Sequence, residues 1–208
     1  MSAALQPSRE IPADYELGGS LDLSKNRKLM IALNIAGALL LFLFAWLFLR
    51  AAAWLRPAET GQVINFELNG LRQILFWVLA LVASQIAFVV LHEAIHGLFF
   101  WLMTHEKPTF GFRGAYAFAA APQWYIPRNP YLIIGLAPLF LISVVGVLLI
   151  PVLPGALLTF WLLGLTFNAA GAVGDLAVVI WLLGQPANSL INDRGDAVTL
   201  YRLAPRAR

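Results

Sequence analysis

The sequence predicts an all-α membrane protein: about four transmembrane helices with a small cytoplasmic β-hairpin and strand element. Three observations carry that expectation. First, 60% of the 208 residues are hydrophobic and 12% are charged, whereas a soluble domain runs at about half and about a quarter. Second, four apolar stretches each reach the roughly 20 residues that a helix needs to cross a bilayer. Third, lysine and arginine concentrate in segments that alternate crossing puts on one side. The absence of cysteine excludes disulfides and thiolate metal sites. The net charge of +3 says little by itself, and no nucleic-acid partner is expected.

Residues 1–28 form a polar N-terminal segment of mixed charge, with Lys25, Arg27 and Lys28 just ahead of the first span, 29–55. That span is longer and starts later than the roughly 7–15-residue core of a secretory signal, so it reads as a retained helix. The link 56–70 is a short polar loop with some interfacial helix. The second span, 71–103, leads into "THEKPTFGFRGAYAFAAAPQWYIPRNP" at 104–130. There Phe110, Phe112, Tyr116 and Phe118 alternate around Arg113-Gly114, which suggests a β-hairpin at the membrane surface; an irregular aromatic belt is the alternative. Spans 131–150 and 157–183 follow, joined by "PVLPGA". In the tail 184–208, Val198 and Leu200 alternate with Thr199 and Tyr201 as in a short strand that could pair with the hairpin. Asp193 and Asp196 flank Arg194-Gly195 and read as solvated turn residues, not as a second metal site.

With the N-terminus in the cytoplasm, eleven lysines and arginines fall inside, and only Arg50, Arg56 and Arg72 fall outside. The expected location is the plasma membrane, multi-pass through the core 29–183, with both termini cytoplasmic.

The second span contains "HEAIH", His92 to His96. On a helix, residues four apart share a face, so both imidazoles can converge on one ion while Glu93 stands beside it. Zinc suits such ligands and leaves one position for water. Glu93 would be the general base, taking a proton from that water and passing it to the leaving amine. Ionisable side chains inside a span are expensive and mark function by default. The bland reading is a hydrogen-bonded polar knot between helices. Ser84 and Gln85 either line a hydrated pocket or bond to neighbouring helices.

A third ligand is needed. His105 lies about 13 Å along the helix from His96, too far to share an ion. Asp175 is the only other acidic residue inside any span, and Asn168 shares its helix face. Gly164, Gly171 and Gly174 allow close helix approach there. Counted from the helix ends, His92, His96 and Asp175 lie at similar depth below the cytoplasmic surface.

The sequence here resembles the site-2 protease class of intramembrane zinc metallopeptidases, and more narrowly a bacterial zincin peptidase family of small membrane proteins. The class pairs an H-E-x-x-H helix with a later helix that carries an asparagine and, several residues on, a ligating aspartate; here these are "HEAIH" and "FNAAGAVGD". The resemblance implies that Asn168 holds substrate or stabilises the developing oxyanion, and that the extended segment after the H-E-x-x-H helix captures substrate strand-wise. It covers roughly 71–203. Two departures are visible: Asp175 is followed by Leu176 where the class usually has glycine, and glycines and alanines replace its prolines.

The expected activity is zinc-dependent hydrolysis of peptide bonds in membrane-associated or transmembrane substrates near the cytoplasmic face, the lipid bilayer being the other partner. A non-catalytic metal-binding protein, sensor or assembly factor, is the alternative. A proton or ion transporter is a third reading, against which the lack of an inverted repeat counts.

Overall fold

The computed structural model describes residues 5–22, 27–58, 70–114, 116–195 and 197–205. In chain order the elements are β1 (Tyr15–Asp22), α1 (Arg27–Leu55), α2 (Leu71–Thr104), β2 (Thr109–Phe112), β3 (Ala117–Ala120) and β4 (Ile126–Pro127). Then come α3 (Arg128–Leu149), a 3₁₀ turn (Ile150–Val152), α4 (Gly155–Gly171), α5 (Val173–Leu183), β5 (Leu190–Asp193) and β6 (Ala197–Leu203). The interfacial helix expected in the link 56–70 falls almost wholly outside the described residues.

Among the described residues, four helical stretches are long and apolar enough to cross a membrane: Arg27–Leu55, Leu71–Thr104, Arg128–Val152 and Gly155–Leu183. Their outward faces are apolar too, with Phe42, Trp54 and Leu79 all well exposed. Patches of that extent mark a surface meant for another apolar phase, which is compatible with a multi-pass membrane protein.

The last of these stretches is two helices. The chain breaks at Ala172, whose N–H bonds back to the Asn168 carbonyl, and α5 starts afresh at Val173. Of the three glycines expected to thin this stretch, Gly164 does so: a Cβ there would collide with the Phe88 ring. Gly171 has open space where its Cβ would be, so it relieves no contact.

The chain divides into two compact units. One comprises 1–33, 93–138 and 174–208; the other comprises 34–92 and 139–173. The cuts fall inside α1, α2, α3 and α5.

The first unit holds all the strands. An antiparallel sheet runs in the order β1-β6-β5-β4, and β2 pairs with β3 separately. This corrects two expectations. The strand 197–203 pairs with β1 and β5 rather than with the 109–120 segment, and the N-terminal segment, read as a polar tail, supplies β1. Phe100, Ile126, Tyr131, Ile134, Leu182, Ile191 and Leu200 form its core. Asn192 is buried among them and donates to the Pro122 and Trp124 carbonyls at 2.8 and 3.0 Å, tying β5 to the loop before β4. In the second unit, Arg56 donates to the Ile150 and Leu153 carbonyls, and Trp161 Nε1 donates to the Gly146 carbonyl at 2.9 Å.

Candidate metal centre

The histidine turn lies deep in α2, about two turns before its end. His105 takes a left-handed conformation (φ 56°) and stops the helix; its N–H bonds to the Trp101 carbonyl at 2.7 Å. It is absent from the cluster below.

Each α2 imidazole is held at one nitrogen. His92 Nδ1 lies 2.9 Å from Asn168 Oδ1, and His96 Nδ1 lies 3.0 Å from the Ile134 carbonyl oxygen. Both partners are acceptors, so each ring presents an Nδ1–H to its partner, and in the neutral imidazole that leaves the lone pair on Nε2. Histidines that hold metals are oriented in this way, by an oxygen on the far nitrogen. His96 Nε2 then stands 3.5 Å from Asp175 Oδ1. That separation suits two ligands of one tetrahedral zinc, which bonds of about 2.0–2.1 Å place about 3.3 Å apart.

His92, His96 and Asp175 each offer one ligand atom, and all three atoms lie within 4.8 Å of one another. The structure thus brings together the three residues that the sequence nominated, on the unbroken turn of α2 and the first turn of α5. Asp175 sits in the first turn of α5, where backbone N–H groups favour negative charge. A carboxylate isolated in hydrocarbon costs about 2.5–3.5 kcal/mol; that of Asp175 has the His96 imidazole beside it.

The donor set fits zinc: two imidazole nitrogens, one carboxylate, and a fourth position left over. Glu93 follows His92 directly, close enough to His96 to act on it electrostatically.

Other expectations fare differently. Ser84 bonds across to the Phe160 carbonyl at 3.3 Å rather than lining a pocket, while Gln85 Nε2 is buried without a hydrogen-bond partner among the described residues. Asp193 is not a solvated turn residue: it accepts from the Tyr131 hydroxyl at 2.6 Å and from the Gly195 N–H at 2.7 Å. Burial raises its carboxyl above the usual range, and those two hydrogen bonds pull the other way. Asp196 lies outside the described residues. The sequence reasoning missed the Ile134 carbonyl entirely.

Residues 85–190, slightly more than half of the chain, match the family described as "Putative zincin peptidase". The chain belongs to that family. Membership brings zinc as the implied cofactor and peptidase as the implied activity, and the matched stretch contains His92, Glu93, His96, Asn168 and Asp175. No curated protein and no solved structure matches the chain.

Proposed function

We propose that this zincin family member is a membrane-embedded zinc metallopeptidase of site-2-protease type. It would hydrolyse peptide bonds of membrane-associated or transmembrane substrates near the cytoplasmic face. The observation that carries the reading is the pair of imidazoles pinned at Nδ1, with His96 Nε2 facing the Asp175 carboxylate.

His92, His96 and Asp175 hold the ion. Zinc, when bound, supplies Lewis acidity, lowering the pKa of water and polarising a carbonyl. Glu93 takes the proton from the attacking water and delivers it to the leaving amine. Asn168 has two tasks on this reading. Its Oδ1 fixes the His92 ring, and its Nδ2, buried without a hydrogen-bond partner among the described residues, is the donor left for a substrate carbonyl as charge develops on it. A substrate helix has to unwind to enter, and β2, paired only with β3, offers an edge for the extended segment. Phe110 and Phe112 of that strand are exposed.

The test is Glu93→Gln in the purified full chain. Zinc content should match the parent, while cleavage of a model membrane substrate falls by about 10²–10⁴-fold, the usual worth of a general base. Cleavage at the parental rate would overturn the peptidase reading. A parent that binds zinc and cleaves nothing would favour the sensor or assembly factor.

A further inference from the structure

In an α-helix the carbonyl of residue i accepts the N–H of residue i+4. For Ile134 that residue is Pro138, which stands inside α3 and has no N–H to give. The oxygen so released is the one that lies 3.0 Å from His96 Nδ1. We propose that Pro138 is a positioning residue of the metal centre: by withholding the helical donor from Ile134, it supplies the acceptor that keeps His96 in its Nδ1–H form with Nε2 toward the ion. The inference rests on the zinc reading above.

Several observations point the same way. A proline inside a helix costs about 3 kcal/mol, and a span tolerates it because a neighbouring group re-satisfies the freed carbonyl. Here that neighbour is the most buried of the nominated ligands. Ile134 and Pro138 are both fully buried, so bulk water does not compete for the oxygen. Gly135, the next residue, has so little room that a Cβ would press on Val179 of α5 at 3.2 Å. The stretch of α3 that offers the carbonyl is therefore packed tightly against the helix that carries Asp175.

Pro138→Ala returns the N–H and removes the cause while improving helix propensity. Pro138→Val does the same with more of the side-chain volume kept. In full-length detergent-solubilised protein stripped of metal, zinc affinity is read by competition with a chromophoric chelator, beside the melting temperature of the metal-free form. Both variants should bind zinc about 10–100-fold more weakly, the usual effect of losing a ligand's outer partner, with a metal-free melting temperature no lower than the parent's. A merely structural proline predicts the reverse, a shifted melting temperature with parental zinc affinity, and that result overturns the proposal. Should both variants unfold, nitrogen NMR shifts of His96 in the metal-free parent decide: an Nδ1–H ring supports the link and an Nε2–H ring sinks it. A parent that holds no zinc would end the functional reading, yet the tautomer measurement would still judge Pro138.

Discussion

At the scale of single residues, the centre is a matter of which nitrogen faces which oxygen. His92 and His96 are equivalent in the motif but are held differently, one by a side-chain amide and one by a backbone carbonyl. Asp175 offers a third candidate ligand from another helix. Asp175→Ala should therefore remove most bound zinc, because two imidazoles on one turn are a poor site alone. Metal analysis of the purified variant checks this, and full zinc content would refute the ligand set. The motif, the depth argument and the shortage of acidic residues within the spans made these three legible in the sequence. The Ile134 carbonyl was not legible as a partner, because backbone oxygens leave no trace in residue types. Its one visible sign was a proline in the middle of the third span.

At the scale of elements, the ends matter more than the middles. Just past the C-terminal end of α2, Glu106 pairs with Arg9 and accepts from Trp124 Nε1 at 3.1 Å. The hydrogen bond from Arg9, with that from Trp124, holds its carboxyl below the usual range. A depressed carboxylate stabilises the fold above its unfolded pKa and loses that contribution as pH falls through the folded value. Docking of the segment around Arg9, which also pairs Ser8 with Tyr125 at 3.1 and 2.7 Å, should thus loosen only as pH drops below the ordinary carboxyl value of 4.5. Amide hydrogen exchange at Ser8 and Tyr125 measures this, and Glu106→Gln should abolish the dependence. The helices were legible here because long apolar runs have one outcome. The break at Ala172 was hidden, since alanine and glycine mark no boundary inside a span. Strand β1 was hidden because its "YELGGSLD" mixes charge and glycine and gains its order only from β6.

At the scale of the whole chain, the sheet constrains how the spans thread. β1 precedes the first span, β4 lies between the second and third, and β5 and β6 follow the fourth, yet all four strands belong to one hydrogen-bonded sheet. Irregular backbone and sheet edges do not survive in hydrocarbon, so in a chain inserted as proposed these three segments would share one side, with an even number of crossings between them. Lysine and arginine counting expects that same arrangement. The chain has no cysteine, which makes labelling clean. Single cysteines at Glu10, Lys107 and Ala204 should react with an impermeant thiol reagent from one side only, and one at Val152 from the other. A mixed pattern would break the threading.

The pairing of Tyr15 with Leu203 also sets an order in time. Strand β1 is made before all four apolar stretches, and its partner β6 after them. Contacts so distant in sequence close late, and β5, which links β6 to the remainder of the sheet, is also made after the fourth span. The histidine turn is thus synthesised well before the sheet is finished, so a chain halted during translation would carry the motif without the sheet.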